Sequence, residues 1–255
     1  MRFYLVTAFV VLVHFSVAPV KADEEADKVI EFAIKARCQK PEMLGKQRTQ
    51  LIEMEGKIFD GATTIPAVGR MQIEGRDRFR WDLDLTLPQG KKQSTLTLMG
   101  GTAWQRGSDT PPRDMTFSER DEFMMEIHAH WLSTLYPLRD KYITLKKEED
   151  ATLNEEKVFV IKAKVRALPE VTLYVSQKSG NLLMVAYKAR EQGVDMRKEH
   201  WYADYKSFQG LTLPAKLTDM KQLIGRPSLK AAEWDVKDYK FVDKLGDDVF
   251  VKPEK

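Results

Sequence analysis

Cysteine is nearly missing from this chain: Cys38 stands alone among 255 residues, so no internal disulfide can brace the fold. It does not sit at the start of the expected mature chain, which gives no indication of a lipid-bearing N-terminal cysteine, and it reads as a small apolar residue near the end of a first helix. Histidine is scarce as well. His128 and His130 form the only close pair, and two residues apart on a helix they point in different directions, so they cannot share a metal as an i, i+4 pair can. His200 stands alone in a strand pattern, where a satisfied or surface histidine is the expectation. The chain has no Gly-x-Ser-x-Gly elbow, no Walker loop, no Gly-x-Gly-x-x-Gly after a strand and no His-Glu-x-x-His. With no nucleophile, base or metal nominated, neither an enzyme nor a cofactor is expected.

A block of like charge is also lacking. The 41 basic and 38 acidic residues are interspersed, which suggests neither nucleic acid nor an anionic membrane surface as a partner. Long apolar runs stop early. Residues 1–22 carry Arg2, an apolar stretch from Phe3 to Val13, and small residues at Val20-Lys21-Ala22, which together read as a signal peptide cleaved after Ala22. That stretch is shorter than the roughly 20 residues needed to span a bilayer. An exported, soluble mature chain, 23–255, forming a single domain with no stable membrane insertion, is expected.

What the sequence does contain is periodicity. Ala26, Val29, Ile30, Ala33 and Ile34 recur at helical spacing behind acidic Asp23, Glu24 and Glu25, which suit a helix start. Pro41 and Gly45 are expected to end that helix. From residue 49 the period becomes two: in Arg78-Phe79-Arg80-Trp81-Asp82-Leu83-Asp84-Leu85 apolar and charged residues alternate without a fault, so one face is wet and the other buried. Similar runs, separated by turns such as Glu74-Gly75-Arg76-Asp77 and Lys178-Ser179-Gly180-Asn181, give about eleven strands joined neighbour to neighbour. One segment, Ser118 to Asp140, interrupts them: a Ser118-x-x-Asp121 cap precedes Phe123, Met124, Ile127, Trp131, Leu135 and Leu138 at helical spacing, with Pro137 near its end. The class is therefore mainly β (α+β), one long antiparallel sheet with two amphipathic helices. A sheet of that size curls, and its concave face is too wide for its own side chains to fill. The helices either plug that face or cover a cavity for an apolar ligand; both readings stand at this point.

The order of export signal, short helix, meander, helix and second meander resembles the periplasmic lipoprotein carrier superfamily of LolA and LolB, including outer-membrane lipoprotein-sorting-like proteins. The resemblance is carried by Val171-Thr172-Leu173-Tyr174-Val175 with the turn Ser179-Gly180-Asn181-Leu182-Leu183, by Trp201-Tyr202-Ala203-Asp204-Tyr205-Lys206, by Gly210-Leu211-Thr212-Leu213-Pro214-Ala215-Lys216, and by the terminal stretch from Lys240-Phe241 to Lys252-Pro253. It implies an unclosed β-barrel with helices in its mouth, a periplasmic location, and binding of a lipid or lipoprotein acyl chain, with an envelope membrane protein as a further partner. The family's gating arginine has no recognisable motif here, although Arg70, Arg78 and Arg80 lie in the corresponding meander. On this reading Phe79, Trp81, Leu96, Leu98, Phe159 and Ile161 would line the sheet side of an apolar cavity, and Met124, Ile127, Trp131 and Leu135 its helical side. The rival reading is a non-catalytic envelope interaction or sensor module with a filled core.

Overall fold

The computed structural model describes residues 23–166, 168–191 and 193–254; the expected export segment, 1–22, lies outside the described residues. The first helix, α1 (Glu24–Arg37), is capped by Asp23, whose Oδ1 accepts the amides of Glu25 at 3.1 Å and Ala26 at 3.2 Å. The other oxygen of Asp23 accepts the amide of Lys147 at 2.8 Å, and this bond, with those from Ala26 and Glu25, holds the carboxyl below the usual aspartate range. The cap thus fixes the helix and docks it on a strand in one step. Ala26, Val29, Ile30, Ala33 and Ile34 are all buried, as their spacing requires. Cys38 ends the helix, buried, with its thiol directed at the Ile34 carbonyl. Pro41 does not terminate α1 but opens a 3-10 helix, Pro41–Arg48, a position where its missing N–H costs nothing.

Among the described residues fourteen strands form one antiparallel sheet, more than the sequence pattern shows. Six precede the second helix: β1 (Thr49–Asp60), β2 (Thr63–Glu74), β3 (Arg78–Leu87), β4 (Gly90–Met99), β5 (Thr102–Gly107) and β6 (Arg113–Asp114). Eight follow it: β7 (Ile143–Lys147), β8 (Ala151–Leu153), β9 (Glu156–Val165), β10 (Val171–Ser176), β11 (Leu182–Glu191), β12 (Val194–Phe208), β13 (Leu211–Leu223) and β14 (Leu229–Phe241). The surplus includes β6 and β8, two and three residues long, too short to display a period of two. The order is β6-β5-β4-β3-β2-β1-β14-β13-β12-β11-β10-β9-β7, with β8 also on β9, so two meanders meet along a β1–β14 seam. Strands β6 and β7 are the ends of this path, and the barrel is unclosed.

The second helix, α2 (Phe117–Ser133), lies between β6 and β7 in sequence and so carries the chain from one edge of the sheet to the other. Its cap is Thr116, not Ser118: the Glu119 amide donates to Thr116 Oγ1 at 3.3 Å, and the Thr116 amide to Glu119 Oε2 at 2.8 Å. Arg113, at 2.6 Å from the same carboxylate, makes that reciprocal box preferable to one starting two residues later. The helix stops at Ser133, where Leu135 turns left-handed with φ of 63°, and Pro137 follows in a short 3-10 turn.

The two helices divide the concave face. Helix α1 packs into it against β7 and β13, and Ile30 and Ile34 join a core with Ile161, Leu173 and Leu213. Gly180, in the turn before β11, allows the approach: its φ is +74°, and a Cβ there would stand 2.8 Å from Ala36 Cβ and 3.1 Å from the Phe32 carbonyl oxygen. Helix α2 rests on β10 and β11 and leaves space beneath it towards β1–β4.

Candidate functional site

Beneath α2 lies a cavity of about 330 Å3, within the roughly 300–1,000 Å3 range of small-molecule sites. Period-two alternation builds its apolar wall. Phe79, Trp81 and Leu83 project inward from β3 while Arg78, Arg80, Asp82 and Asp84 point away. Leu96 of β4 and Met71 of β2 continue this wall, and Trp234 of β14 meets Trp81 edge-to-face at 5.5 Å between ring centroids. Gly69 leaves room for that indole: a Cβ there would meet Trp81 Cη2 at 2.6 Å.

The helical side comes from Phe123, Glu126 and His130. The expected stripe was Met124, Ile127 and Trp131, and the observed one is shifted by a single residue, about 100° around the helix. The reason lies in the packing. Ile127, Ala129 and Leu132 are buried in the packed core, so the helix turns them towards the sheet and presents a mixed stripe, Phe123 with Glu126 and His130, to the hollow.

Of the residues expected to line a cavity, Phe79, Trp81 and Leu96 do so. Leu98, Ile127, Leu135 and Ile161 are buried in the packed core, and Met124 and Phe159 pack against it half-buried. Trp131 lines an adjoining outer groove, where the Arg76 guanidinium lies 5.5 Å from its ring centroid. A contact of 3.3 Å between Gln50 Nε2 and His130 Nε2 stands between that groove and the cavity.

The opposite end of the cavity is polar, and His200, which stands alone in the sequence pattern, joins a cluster there. Glu126 of α2 accepts from Lys198 of β12 and, at 2.5 Å, from the Tyr187 hydroxyl of β11. His200 Nε2 lies 3.3 Å from Glu126 Oε2, and its Nδ1 lies 2.6 Å from Asp219 Oδ1. Asp219 Oδ2 in turn accepts the Trp234 indole N–H at 3.1 Å, and Lys198 also meets Glu191 at 3.2 Å.

Burial alone would lower the pKa of His200, but its two carboxylates outweigh burial and push it up to about 10. For Glu126, burial acts upward, and the bonds and charges of His200 and Lys198 reverse it and hold the carboxyl well below the usual glutamate range. Burial and the neighbouring Glu126 charge keep the Tyr187 phenol neutral. The cluster is therefore a charge-assisted network tying α2 to β11, β12 and β13.

Among the described residues the cavity lining holds no serine, threonine or cysteine. No group of three His, Cys, Asp or Glu among the described residues is placed to hold a metal ion. The two remaining histidines of the described chain are held neutral. Burial, with help from the Arg76 charge, lowers His128 to about 4, and burial with the His200 charge does the same to His130.

The arginines weighed from sequence all engage carboxylates on the face away from the cavity. Arg70 pairs with Asp84 at 2.5 Å, Arg78 with Asp247 at 2.6 Å, and Arg80 with Asp82 at 2.8 Å. Asp82, expected on a wet face, is in addition held by the Thr95 hydroxyl at 2.7 Å.

The fold, an open antiparallel barrel with helices across its concave face, is similar to that of several solved structures. The LolA superfamily protein NE2245 from Nitrosomonas europaea aligns over 89% of this chain and 97% of its own, with a TM-score of 0.56 and 15% identity. An outer membrane lipoprotein-sorting protein domain from Vibrio parahaemolyticus aligns over 88% and 97%, with a TM-score of 0.52 and 14% identity. A DUF1329 family protein from Desulfovibrio piger aligns over 89% and 97%, with a TM-score of 0.53 and 10% identity. At such identities the likeness is one of fold. No family model and no curated protein matches the chain.

Proposed function

We propose that this protein binds the acyl chain of a lipid or lipoprotein in the cavity beneath α2, acting as a periplasmic carrier in envelope lipid or lipoprotein traffic. The observation that carries the reading is the unfilled apolar hollow between Phe79, Trp81, Leu96 and the helix. A methylene moved from water into such a site gains about 0.8 kcal/mol, so a handful of buried methylenes suffices for useful affinity. The ion-paired network opposes wide opening of α2 and would hold net affinity within reach of release. Among the described residues no helix is long and apolar enough to cross a membrane. Similarity to a lipoprotein-sorting domain supports the same class of ligand. The rival reading, a module with a filled core, accounts for the region under α1 but leaves the hollow under α2 without a role.

The test is mass spectrometry of the protein purified gently from its native envelope, paired with uptake of a fluorescent fatty-acyl probe. One copurifying acyl lipid, and probe uptake reduced at least tenfold by Ala232→Phe on the cavity wall, are expected; the tenfold figure corresponds to about 1.4 kcal/mol. Protein that carries no lipid and takes up no probe would sink the proposal.

A further inference from the structure

The end of the sheet that carries the β11–β12 and β13–β14 turns bears an apolar, basic tip. Register brings the β11–β12 and β13–β14 turns side by side: Glu191 pairs with Val194, Met196 with Leu223, and Lys221 with Leu229. Four large apolar side chains stand out there, Ile224 81% exposed and Leu229 60%, with Val194 and Leu223 beside them. Exposure of this kind on adjacent turns marks an interaction site.

The turn that presents Ile224 is built rather than loose. The Arg226 amide donates to the Leu223 carbonyl at 3.0 Å, Gln222 Nε2 donates to the Arg226 carbonyl at 2.9 Å, and Gly225 takes the positive φ of 73° that closes it. Between residues 220 and 230 the chain carries Lys221, Arg226 and Lys230 and no acid. Arg226 has no carboxylate within ion-pair distance among the described residues and Lys221 reaches Glu191 only at 3.9 Å, while Lys230 pairs with Glu233 and, on the adjoining turn, Arg190 meets Asp195 at 3.5 Å. The near-neutral balance of the whole sequence conceals this local excess. The same strands supply Met220, Lys221 and Ala231 to the cavity lining, so hydrocarbon leaving the hollow would emerge beside the tip.

We infer that this tip docks on an anionic lipid surface, with Ile224 and Leu229 entering the outer leaflet region and Arg226 and the flanking lysines meeting acidic headgroups. Shallow entry of a few apolar side chains backed by cations is the mode of peripheral membrane contact. A protein partner fits less well, because two turns offer far fewer residues than the roughly 20–30 per side of a stable interface. The inference is separable from cavity binding, since each has its own readout.

The experiment uses the mature chain with phosphatidylcholine vesicles, made with and without phosphatidylglycerol, in a flotation assay. Binding to the anionic vesicles that weakens as salt is raised is expected, with little binding to the neutral ones. Ile224→Asp combined with Leu229→Asp should lower anionic-vesicle binding at least about tenfold, and Arg226→Gln about fivefold, the latter from about 1 kcal/mol per surface cation. Uptake of the acyl probe by these variants should stay unchanged, which also shows that they fold. As a positive readout, tryptophan placed by Ile224→Trp should shift its emission to the blue only with anionic vesicles. Equal binding by the double variant, or no shift from that tryptophan, would overturn the inference. So would a self-association of the parent chain that the double variant abolishes.

Discussion

Raising the pH above neutrality is expected to weaken the fold by discharging His200. In the unfolded chain this histidine takes its ordinary value of 6.5, and in the fold about 10. Between those values the native state keeps a proton that the unfolded state has lost. Its contribution is therefore complete below 6.5 and declines as pH rises, by up to about 1.36 kcal/mol per pH unit. The whole interval sets a ceiling of about 5 kcal/mol. The ring is 20% exposed and shares Glu126 with Lys198, so a loss of about 2 kcal/mol by pH of about 9.5 is the working figure.

On the acid side the sign reverses. His128 and His130 are neutral in the fold with values near 4, so below 6.5 the unfolded chain gains two protons that the native one refuses, and stability falls with falling pH. Carboxylates with lowered values, Glu126 among them, lose their contribution only at still lower pH. Stability should peak near pH 6.5. Urea unfolding followed by tryptophan fluorescence from about pH 5 to about 9.5 measures this directly. In His200→Gln the alkaline decline should vanish. A parent protein of constant stability above pH 6.5, or a variant with an undiminished alkaline slope, would refute the reasoning.

Glu126→Ala removes the acceptor shared by Lys198, His200 and Tyr187 and should cost about 2–3 kcal/mol, with faster amide exchange in α2 than in α1. Gly56→Ala would place a Cβ 1.9 Å from the Glu233 carbonyl oxygen across the β1–β14 seam. It should destabilise by more than about 3 kcal/mol in the same urea titration. Trp104→Phe deletes the indole bond to the buried Phe250 carbonyl, 3.0 Å long, and should lower stability by about 1 kcal/mol while leaving probe uptake intact. Burial pushes the Cys38 thiol above its ordinary range, so native protein should react with a thiol reagent only at the rate at which it opens, and urea should release that reactivity.

Much of the sheet is legible in the sequence because its strands are one-sided. The faultless alternation of Arg78–Leu85 places Phe79 and Trp81 on the inner wall and the charged residues outside, as found. The β1–β14 seam is not legible, since a local period says which face a strand buries and nothing about which distant strand it joins. The polar cluster was missed for a related reason: His200 and Asp219 meet only through the β12–β13 register. A signal existed nonetheless. Leu211, Leu213, Ala215 and Leu217 define the inward parity of β13, and Asp219 continues it, so a carboxylate was facing in. On β12, Lys198 and His200 share the parity of buried Met196. Charges at inward positions of two consecutive strands mark such a cluster before any coordinates exist. The outward turn of Trp131 was less accessible, because Met124, Ile127 and Trp131 share the spacing of Phe123, Glu126 and His130, and only tertiary packing chooses between two neighbouring stripes.

The seam has a consequence for assembly. Its strands are the first and the last of the sheet, and each meander taken alone would end in an unpaired edge there. The hollow cannot be completed until β14 has joined β1, however early the aromatic wall of β3 is made. Until then the greasy interior stands open to any passing chain, and the final hairpin is both the keystone and the step most exposed to misassembly.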